Sequence, residues 1–238
     1  MILPLTKIII GFSNLVFFII ALIVGLKLII KYRNQKDKNY IFVGITWITV
    51  AMPYFATVVS FLYTLTTATL ISFTIYIIIS MTFFPIGLFL WIMAFTNLAY
   101  ETHKNSIRSL IAVYVLIFEI ILYILLFTTP SYLGEMIPPF IPRYEPYIVF
   151  NYLAMILVII ITGIYFSLQS LKSSDEKVSW KGKFLLVAFI LTTIGGILDL
   201  VPTPDLVIFI KRTITITGSI LFYLGFYLPQ WVERKLIK

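Results

Sequence analysis

Apolar residues run in long unbroken stretches along this chain rather than alternating with polar ones. Seven stretches, 5–30, 40–62, 70–97, 107–128, 147–171, 184–201 and 205–230, reach the length of a bilayer crossing, roughly 20 residues of helix. Continuous runs predict helices, because a membrane barrel would alternate residue by residue. The fold class expected is all-α: a single seven-helix transmembrane domain covering residues 1–238. The break between the second and third spans is short, residues 63–69. Pro53 and Pro85 fall inside those two spans and predict kinks, since proline removes a helical N–H. The connector 129–146 carries Pro130, Pro138, Pro139, Pro142 and Pro146 and cannot be a regular helix. With Phe140, Tyr144 and Tyr147 suited to the interface, it reads as a stiff connector over the bundle. A lid over an outward pocket is the sharper alternative.

Composition agrees. Of 238 residues, 61% are hydrophobic and 12% charged, too few polar residues to surface a soluble domain. A multi-pass protein of the cell membrane is expected. There is no cysteine, so no disulfide or thiolate metal site can form. The net charge of +8 lies beside the spans. Lys31, Arg33, Lys36 and Lys38 follow span one. Lys104 and Arg108 follow span three, Lys172, Lys177, Lys181 and Lys183 follow span five, and Arg234, Lys235 and Lys238 follow span seven. The opposite loops hold Arg143. Basic loops face the cytoplasm, so the N-terminus is expected outside and the C-terminus inside. The partners implied are the bilayer, anionic lipid at the basic loops and a cytoplasmic or membrane partner protein. No basic patch lies on a foldable soluble segment, so nucleic acid is not a partner. Span one has neither a basic leader nor an Ala-x-Ala site and is expected to be retained. Lys27 near its inner end is expected to snorkel to the headgroups.

Charges inside spans are rare and mark function or structural pairing. Glu119 stands near the middle of the fourth span, where a carboxylate is costly unless protonated, paired or wetted. Tyr123 lies one turn further on the same face. In the last span Lys211, Arg212, Thr215, Gly218 and Ser219 share one helical face at roughly 100° per residue. That face should look into the bundle. Thr192, Gly195, Gly196 and Asp199 share a face of the sixth span, and the glycines predict a close helix approach. Asp199 and Asp205, with Pro202 and Pro204 between them, should form a tight turn above Lys211 and Arg212. The expected site is therefore Glu119, Asp199, Lys211 and Arg212 with Tyr123 and Thr215, as a ligand pocket or an ion-pair network. Asn14 followed by Gly25 is echoed by Asn151 followed by Gly163, which suggests parallel three-helix repeats flanking the fourth span.

No enzyme signature is present: no His-Glu-x-x-His, no Gly-x-Ser-x-Gly and no glycine-rich phosphate loop. No catalytic role, cofactor or metal is predicted. His103, the lone histidine, sits in a basic turn and reads as solvated. A retinal Schiff base on Lys211 fits poorly, because Arg212 adjoins it and span three has no acid. The stretch Phe84-Pro85-Ile86-Gly87-Leu88-Phe89-Leu90-Trp91-Ile92-Met93-Ala94-Phe95 resembles the seven-helix sensor region of prokaryotic and archaeal membrane histidine kinases. Leu221-Phe222-Tyr223-Leu224-Gly225-Phe226-Tyr227-Leu228-Pro229-Gln230-Trp231 is similar to the closing segment of that region. The resemblance implies a receptor-like or sensory bundle. With no kinase after Trp231, it is expected to report through another protein. A small transporter or channel built from the two repeats, and a structural subunit, are the alternatives.

Overall fold

The computed structural model describes residues 3–200 and 205–237, and the side chains of residues 200, 205 and 206 lie outside that description. Pro202, Pro204 and the Asp205 carboxylate, which the sequence places in a turn above Lys211, fall outside the described residues. The chain runs α1 (Leu5–Gln35), α2 (Asn39–Val50), α3 (Met52–Thr67), α4 (Phe73–Met81), α5 (Phe83–Leu98), α6 (Lys104–Thr128), a two-stranded hairpin, α7 (Pro146–Leu171), α8 (Glu176–Leu200), α9 (Asp205–Tyr227) and α10 (Gln230–Leu236). Six segments are long and apolar enough to cross a membrane, with Phe73–Leu98 as one of them. The bent pair α2/α3 gives a seventh if it is one span. The fold is thus an all-α bundle of membrane-spanning length.

Both expected interruptions occur at proline. Pro53 offers no N–H to the carbonyl of Thr49. The Ala51 N–H turns instead to the Ile48 carbonyl at 3.1 Å, and α2 and α3 meet at a 40° bend. Pro85 does the same four residues after Met81, where α4 ends. There the Thr82 hydroxyl shares a 2.8 Å hydrogen bond with the phenol of Tyr123, reaching across from α6.

Counting α2/α3 and α4/α5 each as one segment, six apolar segments close a ring. α2 packs between α1 and α5, and α8 packs between α7 and α9. The ring is completed by α1 against α9 and, more loosely, by α5 against α7. The first helix of each triplet thus meets the third helix of the other, as two equivalent halves would. The echoed residues share local roles. The Asn14 side-chain amide donates to the Ile10 carbonyl at 3.0 Å, and that of Asn151 to the Tyr147 carbonyl at 2.8 Å. Gly25 lets α1 close on α2, because a Cβ there would stand 2.7 Å from the Gly44 carbonyl oxygen. Gly163 accepts the ring of Phe189 from α8.

The long apolar helix α6 lies outside this ring and packs mainly on α5. Its outer face exposes Leu110, Val113, Ile117, Ile120, Ile124 and Phe127. In water such a face would be a liability, but against lipid tails it is the ordinary state. Lys7, in the first turn of α1, adds a cation at the end opposite the basic loops.

The connector is a short 3₁₀ turn, Pro130–Tyr132, followed by β1 (Gly134–Ile137) and β2 (Ile141–Tyr144). Its prolines hide the strands from sequence reading. Gly134, at φ 140°, is where the hairpin demands glycine, since a side chain there would strike the Arg143 carbonyl. The hairpin docks on α3: the Ser60 hydroxyl donates to the Phe140 carbonyl and that of Thr64 to the Pro139 carbonyl, both at 3.1 Å. Phe140 is wholly buried against Phe61, Leu3 and Ile10. The expected stiff connector is therefore a docked hairpin.

Candidate functional site

The polar face of α9 forms where the spacing predicts. Lys211, Arg212, Thr215, Gly218 and Ser219 are all buried, while Ile220 is exposed. The α8 glycines also do what was expected of them. Gly195 receives the Thr215 methyl, and Gly218 on α9 receives that of Thr192. Close approach of the two helices then brings their charges together. The Arg212 guanidinium donates through Nη1 to Asp199 Oδ2 at 2.8 Å. The Tyr54 hydroxyl, from α3, donates to the same oxygen at 2.8 Å. The guanidinium carbon also lies 4.8 Å from the centre of the Tyr54 ring, a cation–π contact. The Lys211 ammonium donates to the Leu198 carbonyl. Thr215 donates back along its own helix, to the Lys211 and Arg212 carbonyls at 3.2 and 3.1 Å.

Glu119 does not join this group. Both of its carboxylate oxygens are buried with no hydrogen-bond partner among the described residues. The Tyr147 phenol, on α7, lies within electrostatic reach of it. The Tyr147 hydroxyl donates to the Phe118 carbonyl at 3.2 Å, and the Tyr114 hydroxyl to Asn151 Oδ1 at 3.1 Å. The expected convergence is thus split in two: Asp199, Lys211, Arg212 and Thr215 come together, whereas Glu119 and Tyr123 stay on α6. Helical depth and face put all of them at one level and facing inward. Neither reveals that α6 stands outside the ring.

Beneath the Asp199–Arg212 pair the ring encloses a cavity of about 70 Å³. Phe17, Trp47, Tyr54, Trp91, Tyr152, Thr192 and Phe222 line it, drawn from α1, α2, α3, α5, α7, α8 and α9. No lining residue is charged, and none comes from α6. The Trp47 indole stacks on Phe222 with centroids 3.7 Å apart. The Trp91 indole N–H is committed to the Thr162 hydroxyl at 2.7 Å. Trp91 reads as bundle filling from sequence; here it is a cavity wall.

Two residues matter that sequence reasoning passed over. Tyr54 belongs to both features, its ring in the cavity wall and its hydroxyl on Asp199. Trp47 is 6% exposed, and its Nε1 is buried without a hydrogen-bond partner. A signal for Tyr54 exists in its place directly after Pro53, where a bend aims side chains inward. None exists for Trp47 beyond its position one turn before the bend.

At the opposite end the basic loops are tied to the bundle. Lys177 on α8 pairs with Glu233 on α10 at 2.7 Å. The Lys31 ammonium lies over the rings of Tyr40 and Tyr227, at 4.5 and 5.2 Å. Lys27 lies 5.0 Å over Tyr223, its charge held at an aromatic face. Neither a protein-family model nor a curated protein sequence matches this chain.

Proposed function

We propose that the protein is a receptor-like or sensory membrane module without catalytic output, in which a small ligand acts in the central cavity. The observation that carries this reading is the double role of Tyr54. An occupant that displaces its ring acts on the α2/α3 bend and, through Asp199, on α8 and α9. In this reading the N-terminus and the hairpin face outward, and the basic ends of α1, α7 and α10 face the cytoplasm. There the Lys177–Glu233 and Lys31 contacts present the altered packing to anionic lipid or a partner protein. The polar group of Asp199, Lys211 and Arg212 serves as the coupling element, and Glu119 stands apart from it. The sequence has no cysteine, so spin labels can be placed singly at Lys38 and Ser174. Their separation should change when the cavity is filled. An unchanged separation in a ligand-bound protein removes the sensory reading.

One observation favours a second reading, a small carrier. The cavity is framed by two three-helix halves with the fourth span excluded, the arrangement that repeat-built carriers use around a central site. Flux through proteoliposomes separates the two: a carrier moves its ligand across the bilayer, and a sensor binds it without net movement.

A further inference from the structure

The central cavity carries more polar chemistry than its aromatic walls, and its hydroxyls fall into two sets. Thr46 has spent its hydrogen on the Phe42 or Gly87 carbonyl, at 2.8 and 3.1 Å. Thr192 has spent its own on the Ala188 or Phe189 carbonyl, at 2.8 and 3.3 Å. Thr215 donates along its helix and Tyr54 to Asp199. Each of these oxygens keeps lone pairs that can still accept. Tyr152, on α7, and Thr193, on α8, also line the cavity, and neither hydroxyl makes a hydrogen bond among the described residues. The Trp47 nitrogen is closed off from any guest. Tyr152 and Thr193 are also buried, yet each of their oxygens keeps surface that a water-sized guest can touch.

The wall therefore offers two free O–H donors beside several free acceptors. One group answers both, a hydroxyl, which donates one hydrogen and accepts through two lone pairs. The rest of the wall, with Phe17, Trp91, Ile156 and Phe222, is apolar and suits a short hydrocarbon. No charged side chain lines the space, so a charged guest would lose its hydration and gain no counter-charge. Size sets the upper limit. About 70 Å³ is near half of the roughly 150 Å³ that accepts a six-carbon ring, which leaves room for about three heavy atoms. Tyr152 also lies within electrostatic reach of Asp199 and Arg212. A guest bonded to its hydroxyl sits beside the pair that joins α8 to α9.

Resting on the reading of the cavity as a ligand site, we infer that its guest is a short-chain alcohol of up to about three heavy atoms, held by the Tyr152 and Thr193 hydroxyls. The hydroxyl fixes the orientation, and the apolar wall takes the hydrocarbon end.

The test uses the full-length protein in lipid nanodiscs, with ¹³C in the threonine methyl groups. Thr46 and Thr193 both border the cavity, and the Thr46→Val and Thr193→Val proteins identify their resonances. Ethanol should move both in a saturable way, against a linear drift at exposed Thr213. Formate, equal in size but charged, should not compete, and neither should 1-pentanol, twice the size. Removing both free hydroxyls, Tyr152→Phe with Thr193→Val, should weaken ethanol about two- to tenfold, the range of one neutral hydrogen bond. Propane, equal in size without a hydroxyl, should bind that protein unchanged, with Thr46 as the reporter. The two replacements delete no hydrogen bond among the described residues, so the fold is kept. Gly196→Ala narrows the cavity, its new methyl meeting only the tip of Ile156 at 3.3 Å. It should weaken ethanol and propane alike.

Four results overturn the inference. Ethanol moves neither threonine saturably, as in a cavity that holds water alone. Formate or 1-pentanol displaces ethanol. The double replacement fails to separate ethanol from propane. Gly196→Ala weakens neither guest. Ethanol that binds as expected while the Lys38–Ser174 separation stays fixed removes the sensory reading and leaves the guest class intact. A separation that responds to xenon while ethanol fails to bind does the reverse.

Discussion

Removing one member of the Asp199–Arg212 pair should cost more than removing both. The side chains are 22% and 10% exposed, so solvent screens the pair little. Asp199→Leu leaves a buried guanidinium without its carboxylate, and Arg212→Met leaves the carboxylate with the Tyr54 hydroxyl and the charge of nearby Lys211. Breaking a buried pair in this way costs about 3–5 kcal/mol per single replacement. The double replacement removes the Coulomb attraction and the desolvation cost together. It should therefore lie within about 2 kcal/mol of the native protein, rather than near the sum of the singles. Tyr54→Phe deletes one hydrogen bond to a charged acceptor, worth about 1.5–3 kcal/mol, and gives an internal scale. Reversible unfolding in mixed detergent micelles, followed by circular dichroism, measures all four proteins. Additive losses would show that the two charges act independently and that the network does not join α8 to α9.

Three further outcomes follow from the packing. Gly25→Ala should destabilise by about 1–3 kcal/mol, because the new methyl meets the Ile48 side chain and, behind it, the Gly44 backbone carbonyl, which cannot swing aside; the same unfolding assay checks it. Phe140→Ala empties a fully buried site under the hairpin and should cost about 3–5 kcal/mol. Protease cleavage within 134–144 should accelerate while the helical signal persists. Glu119→Gln should leave stability at pH 8 equal or higher, since the carboxylate has no partner to lose among the described residues. A loss above about 1 kcal/mol would mean that the carboxylate is paired in solution.

The spans were legible because the requirement behind them is one-dimensional. A bilayer crossing needs a length of apolar chain, and residues such as Ile8 to Ile30 supply it without reference to any other segment. The faces of α8 and α9 were legible for a similar reason: Gly195, Asp199, Arg212 and Thr215 repeat at helical spacing. Which helix stands beside which was not legible. Glu119 and Arg212 each read as inward-facing, yet helix order round a ring is set by complementary surfaces such as Gly25 on Gly44 and Gly163 on Phe189. A single helix does not carry that information. The hairpin was masked by Pro138, Pro139 and Pro142, which argue against a central strand but are tolerated in a two-stranded edge. The cavity was invisible because it is the volume left over by seven helical segments, and Trp47 becomes notable only once its nitrogen is seen to lack a partner.

The central claim is that filling the cavity moves the basic end of the bundle. Double electron–electron resonance between spin labels at Lys38 and Ser174, recorded with and without xenon under pressure as an apolar occupant of the cavity, tests it most directly. The account predicts a shift of the mean distance by about 2 Å or more, the scale of helix displacement in switching bundles. Superimposable distance distributions, in samples whose xenon resonance shows the cavity occupied, would contradict it.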